Sequence, residues 1–180
     1  AELRRIARPT WRYFETFVNA ETHYLPPDNF QDNPAPKVAH RTSPTNIGLY
    51  LLSVLSARDL GWIGIGTALD RIERTVATLE HLERFQGHLY NWYDTSTLKV
   101  LEPRYVSSVD SGNLAGHLIA LASALSGWAQ TPGLYHQGNL RGIGDTLAVL
   151  TRALQELPDD RRTLRPLRRR LEQLLEGFDR

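Results

Sequence analysis

The feature that most constrains the fold is that the helical stretches of this sequence come in two kinds. Asn46 to Leu60 is apolar on more than one face, with Ile47, Leu49, Leu51, Leu52, Val54 and Leu55. A helix of that pattern must be buried nearly all round. After Gly61 and Gly64 comes Ile65 to Glu83, where Ile65, Leu69, Ile72, Val76, Leu79 and Leu82 recur three or four apart as a single stripe. A buried inner helix followed by an amphipathic outer one is one layer pair of a helical toroid. The alternation recurs along the chain. Glu2 to Ala20 carries one stripe (Leu3, Ile6, Ala7, Trp11, Phe14, Val18), with Pro9 inside it as a candidate helix start. Gly112 to Trp128 is broadly apolar again (Leu114, Leu118, Ile119, Leu121, Ala122, Leu125) and reads as inner. Ile143 to Leu157 carries Leu147, Leu150 and Leu154. Asp160 to Phe178 carries Leu164, Leu167, Leu171, Leu174 and Leu175, with Asp159 or Asp160 as its cap and Pro166 near its first turn. Three helix pairs result, and a six-pair ring needs roughly twice this length. The expectation is an all-α, partial toroid.

Two stretches break the helical period. His23 to Thr45 is a loop with five prolines, Pro26, Pro27, Pro34, Pro36 and Pro44, and loops of that length inside a compact chain have a job or lack order. His88 to Asp94 alternates in part (Leu89, Tyr90, Trp92, Tyr93), Asp94 to Thr97 reads as a turn, and Leu98 to Leu101 returns as a short strand. A small β-hairpin excursion near 88–101 is expected.

At 180 residues the chain holds one domain with a real core and is too short for two ordinary ones. Hydrophobic residues make up 41%, which excludes disorder. Twenty-one Lys and Arg against 20 Asp and Glu leave +1, so there is no electrostatic case for nucleic acid. Cysteine is absent, which removes disulfides, thiolate metal sites and a cysteine nucleophile. Methionine is absent even at position 1, so Ala1 reads as a trimmed or cut end, and no apolar leader follows it. Ser111 to Tyr135 lacks formal charges, but Asn113, His117, Gln130, four glycines and a proline make it a poor membrane span. The six histidines show no metal-ligand spacing, and no nucleophile elbow, phosphate loop or dinucleotide fingerprint occurs. No metal or cofactor is expected. Arg161, Arg162, Arg165, Arg168, Arg169 and Arg170 read as a solvated helix face, with attraction to anionic lipid the weaker option.

Three polar clusters lie at helix starts. In the first, His40 to Gly48, Thr45 or Asn46 can cap a helix whose free amides favour oxygen-rich groups, and Arg41 needs a carboxylate partner or an open cleft. The second, Gly87 to Thr95, sets Tyr90, Trp92 and Tyr93 beside Asn91 and Asp94. Sugar sites use this mixture, with rings on the apolar faces of pyranoses and polar side chains on hydroxyls. A hairpin with one buried aromatic face and Asp94 as turn former is the alternative. The third, Tyr105 to Gly116, places Asp110 or Ser111 as an ordinary cap, or Asp110 as a carboxylate facing Asp94. Glycosidic acid/base chemistry requires two carboxylates at suitable separation. Glu102 is a third candidate, more simply solvated.

The strings RTSPTNIGLYLLS (Arg41 to Ser53), ARDLGWIG (Ala57 to Gly64), GHLYNWYDT (Gly87 to Thr95) and PRYVSSVDSGNLAGHLIAL (Pro103 to Leu121) resemble bacterial cyclic β-1,2-glucan synthases, as do WRYFETFV and LPPDNFQ nearer the start. The resemblance covers roughly Leu3 to Leu125 and is weak beyond Trp128. It implies a large inner-membrane enzyme with a glucosyltransferase module using UDP-glucose, a middle module that cyclises the chain by transglycosylation, and a terminal phosphorylase-like module. Residues 1–180 would then be the N-terminal half of the middle, glucoamylase-like (α/α)6 module, lying on the cytoplasmic side without a transmembrane segment of its own. The implied partners are a β-1,2-glucan chain and the other modules of the polypeptide. By position, Asp94 and Asp110 become the candidate catalytic residues, with Arg41, Thr42, Asn46, Trp92, Tyr93 and Asn113 as candidate sugar contacts. The later half of the toroid is expected to hold the main catalytic carboxylates, and this segment alone to be inactive. A β-1,2-glucan hydrolase on the same toroid and a non-catalytic glucan-binding scaffold are the competing expectations.

Overall fold

The computed structural model describes residues 2–131, 141–156 and 165–178. Its helices are α1 (Glu2–Phe17), α2 (Pro44–Asp59), α3 (Ile65–His81), α4 (Ser108–Ala129), α5 (Arg141–Glu156) and α6 (Arg165–Phe178). Six two-residue strands pair as β1 (Phe30–Gln31) with β2 (Lys37–Val38), β3 (Arg41–Thr42) with β6 (Tyr93–Asp94), and β4 (Arg84–Phe85) with β5 (His88–Leu89), all antiparallel.

The centre is α2. Ile47, Tyr50, Leu51, Val54 and Ala57 are fully buried in it, while Leu49 stays 49% exposed, so burial is extensive but falls short of the all-round cover that the pattern predicts. Burying each of the large aliphatic ones stabilises by roughly 1.5–3 kcal/mol relative to exposure. α3 lies on α2 through one stripe, Ala68, Ile72, Thr75 and Leu79. α4 runs along α2 at close range: a Cβ added at Gly48 would sit 2.2 Å from the His117 Nδ1 of α4. α1 packs on α5 and α2. There Arg4 donates to Asp145 at 2.9 Å, and the Trp62 indole donates to the same carboxylate at 2.8 Å. α5 meets the α2–α3 turn with no space to spare, since a Cβ at Gly142 would lie 2.0 Å from the Gly61 carbonyl oxygen.

Several local expectations are corrected. Pro9 lies inside α1 rather than at its start. Tertiary ties hold the turns before and around it: Arg4 bonds Asp145 and the Leu60 carbonyl, and Arg8 donates to the Thr146 hydroxyl of α5. α2 is capped by Ser43, which accepts from the Asn46 amide with Pro44 at the first helical position, so neither Thr45 nor Asn46 is the cap. α4 begins four residues early, because Ser107 caps it by accepting from the Asp110 amide. α4 is also not covered all round. It buries Leu114 and Leu121, while Val109 and Ile119 stay 70% and 72% exposed. One apolar face therefore lacks a covering layer among the described residues.

The proline-rich loop is ordered, with Leu25, Pro26 and Pro27 fully buried at its base. The excursion expected near 88–101 is present, and a tighter hairpin leads into it. β4 and β5 are joined by Gln86 and Gly87, both at positive φ (48° and 86°), a two-residue turn that suits the strand twist. The return from Leu98 runs back along Trp92 to Asp94, with an antiparallel bridge from Tyr93 to Val100 and the Asp94 and Leu101 amides donating to the Lys99 and Trp92 carbonyls at 2.9 Å. Tyr93 and Asp94 also pair with Thr42 and Arg41, far away in sequence. The caps expected at Asp159 or Asp160, and Leu157, Leu164, Arg161 and Arg162, lie outside the described residues. None of the described helices is long and apolar enough to cross a membrane.

Candidate functional site

The β3–β6 pairing brings the first two clusters together, and the α2–α4 contact adds the third. Arg41 is the hinge of the arrangement. Its guanidinium lies over the Trp92 ring, 4.5 Å from the centroid. Its Nε and one Nη donate to the same oxygen of Asp28 at 3.1 and 2.9 Å. The other Asp28 oxygen accepts from the Asn46 amide at 3.2 Å. Asp28 thus clamps Arg41 to the first turn of α2, while the arginine side chain stays 50% exposed. A cation over an indole face contributes roughly 0.5–1 kcal/mol in so open a place. One face of Trp92 is consequently covered by protein and is not free to stack on a sugar.

The carboxylate of Asp110 ties the start of α4 to that of α2. It accepts from the Ser107 hydroxyl at 2.5 Å. Burial pushes its pKa up, but hydrogen bonds from Ser107, from the Thr45 hydroxyl and amide and from the Ser43 hydroxyl outweigh that, so it sits below its ordinary 3.8. Asn113 adds a second tie, donating to the Thr45 hydroxyl at 3.1 Å. Asp110 also reaches the second cluster. The Asn91 amide, 6% exposed, is satisfied when its nitrogen donates to Asp110 at 3.1 Å and its oxygen accepts from the Trp92 indole at 2.7 Å and from the Tyr105 hydroxyl at 2.6 Å.

Asp94 closes its own turn. One of its oxygens accepts from the Ser96 amide, the Thr97 amide and the Thr97 hydroxyl at 2.8–3.0 Å. Burial raises its pKa, and those bonds, with the charge of His40, bring the net below 3.8. Neither aspartate has the raised pKa that a general acid at neutral pH needs.

Of the sequence-derived sugar contacts, Arg41 and Asn113 are exposed, and Asn46 and Trp92 are half-buried beside them. Thr42 and Tyr93 are corrected: both are 0% exposed and meet no solvent. The Tyr93 hydroxyl donates to the Glu83 carbonyl and accepts from the Tyr90 amide, and burial raises its pKa to about 12. Strand pairing turns these two side chains into the core as direct partners. Asp28 went unnoticed in the sequence; its one signal was a carboxylate directly after the paired prolines. Ser107 was within the third cluster without being singled out, and Asn91 was read only as a polar group for sugar hydroxyls.

Over 177 residues, 98% of its length, the chain is 61% identical to the cyclic beta-(1,2)-glucan synthase NdvB of Rhizobium meliloti (strain 1021). The likeness therefore extends well past Trp128, where the motifs alone had faded. The chain spans 6% of that relative's length. Two solved structures share the fold at 20% identity. One is a candidate glucoamylase from Bacteroides fragilis NCTC 9343 (TM-score 0.56, 79% of this chain and 33% of that one). The other is a candidate glucoamylase from Bacteroides caccae ATCC 43185 (TM-score 0.57, 87% and 37%). The fold is accordingly all-α and toroidal. Residues 5–126, which hold every group of the site, match the family described as "Protein of unknown function (DUF3131)", and the chain belongs to that family.

Proposed function

We propose that this chain is a segment of a cyclic β-1,2-glucan synthase and forms the opening part of the module that closes linear glucan into a ring by glycosyl transfer. The observation that carries the reading is the 61% identity over 98% of the chain to a protein of that activity. The glucan made from UDP-glucose elsewhere in the polypeptide would run past the helix starts where Arg41, Asn46, Trp92 and Asn113 gather. Arg41 and Asn113 offer donors to hydroxyls, and Asp28 holds the arginine in place. In this reading Asp94 and Asp110 shape the cleft, the reacting carboxylates come from later in the polypeptide, and this segment alone turns nothing over. It needs no cofactor of its own. The open apolar face of α4, with Val109, Leu118 and Ile119, is where further toroid helices of the same polypeptide would pack. The assembly would sit at the bacterial inner membrane with this segment on the cytoplasmic side.

A non-catalytic glucan-holding role is the second reading, favoured by the structural engagement of both aspartates. Linear β-1,2-glucan given to the full-length polypeptide without UDP-glucose separates the possibilities. Rings without new reducing ends support cyclisation. Shortened linear chains would turn the reading toward hydrolysis, and a glucan bound but unchanged would turn it toward holding.

A further inference from the structure

The buried Asn91 amide links three groups that sequence places far apart. Its oxygen holds the Trp92 indole nitrogen at 2.7 Å, and its nitrogen donates to Asp110 at 3.1 Å. Asp110 in turn accepts from Ser107, the residue that caps α4, at 2.5 Å. On the far side of Trp92 lies the Arg41 guanidinium, 4.5 Å from the ring centroid. A Trp side chain has two soft torsions, and here its only polar atom is pinned by a group that has no freedom of its own.

We propose that Asp110 is a positioning residue, which through Asn91 fixes the plane of Trp92 and so the Arg41 guanidinium stacked on it, above the joined starts of α2 and α4. The inference rests on the reading of this cluster as a glucan site, and it gives Asp110 a role that touches no reacting atom. Its chemistry is directional. The groups that bond the Asp110 carboxylate are donors: Ser107, Asn91, Thr45 and Ser43. Asp110→Asn therefore sets an amide NH2 against donors, while Asn91→Asp sets two carboxylates about one hydrogen-bond length apart. The exchanged pair, Asn91→Asp with Asp110→Asn, restores the order. The new carboxylate at 91 accepts from Trp92, from Tyr105 and from the amide nitrogen at 110, which stands where one Asp110 oxygen met both Asn91 and Ser107, and the Ser107 hydroxyl turns to accept from that nitrogen.

The test uses the full-length polypeptide and two readouts. Each single substitution should weaken linear β-1,2-glucan binding about tenfold, the scale of one buried polar group left unpaired, and the exchanged pair should recover to within about threefold. Amide hydrogen exchange in the peptide covering 89–94 should rise in each single variant and fall back in the pair, with or without glucan. An exchanged pair no better than the singles in that peptide would overturn the relay. A pair that regains glucan binding but not ring formation would overturn it too, since Asp110 would then act on substrate. Exchange that follows the pattern while glucan affinity stays constant in every variant upholds the positioning of Trp92 and removes the sugar reading of the site.

Discussion

Gly48→Ala probes the contact on which the whole site depends, the close passage of α4 over α2. A Cβ at this position meets His117 Nδ1 at 2.2 Å, Cγ at 2.9 Å and Cβ at 3.0 Å. Ordinary contact begins near 3.4 Å, so the ring nitrogen must retreat about 1.2 Å and the His117 Cβ about 0.4 Å. Swinging the ring away relieves the first overlap and leaves the second, so α4 itself has to shift. That shift strains the tie between Asn113 and Thr45, which is 3.1 Å long in the undisturbed protein. Overpacking of this kind costs about 1–3 kcal/mol, roughly a 5- to 150-fold change in an opening equilibrium. Amide exchange of α2 and α4 in the full-length polypeptide measures it directly. The double variant Gly48→Ala/His117→Ala removes the two ring overlaps and leaves only the milder Cβ contact at 3.0 Å, so it should recover more than half of the loss. Gly48→Ala with unchanged exchange, or a double variant no better than the single, would refute the reasoning.

Gly142→Ala should be harsher, because its Cβ meets backbone, 2.0 Å from the Gly61 oxygen, and no side chain can yield. Displacing α5 draws Asp145 from Arg4 and Trp62, so exchange in α1 and α5 should rise together, by about tenfold or more; a rise confined to α5 would count against that coupling. Asp28→Ala releases both Arg41 and Asn46 but costs only about 0.5–1 kcal/mol of stability, since the arginine is half exposed. Its visible effect should be a severalfold weaker hold on linear glucan, and unchanged binding would remove the clamp from the account. For pH, burial raises and hydrogen bonding more than offsets the pKa of Asp94, Asp110 and Asp145, all ending below 3.8. Their contribution is present above that value and lost as pH falls through the lowered ones, because the unfolded chain takes up those protons first. Asp145→Asn, which lacks one such charge, should lose less stability between pH 6 and pH 3 than the unsubstituted protein, and an equal loss would contradict the sign.

Helix type was legible because burial writes itself into periodicity. The apolar surround of α2 and the single stripe of α3 follow from Ile47 to Leu55 and from Ile65 to Leu82. α4 shows where the rule stops. Its pattern demands cover on every face, and the described residues supply only part of it. Caps were misread by a few residues because Ser43, Thr45, Asn46, Ser107, Asp110 and Ser111 all suit that role chemically, and only the fold decides which amide each one meets. The β3–β6 pairing was not legible at all. Two-residue strands carry no period, and Arg41 and Asp94 are neighbours only through the tertiary structure. That pairing buried Thr42 and Tyr93 and left Arg41 and Trp92 at the surface, so half of an aromatic cluster became core and half became site. Asp28 escaped notice because a lone carboxylate in a proline-rich loop has no local signature.

The central claim is that the cluster around Trp92 holds glucan. Its most direct test is the affinity of linear β-1,2-glucan for the full-length polypeptide, unsubstituted and as Trp92→Ala. Removing the indole also frees Arg41 from its seat, so the account predicts a loss of about tenfold or more, the scale of an aromatic anchor in a binding site. Equal affinity for the two proteins would contradict it.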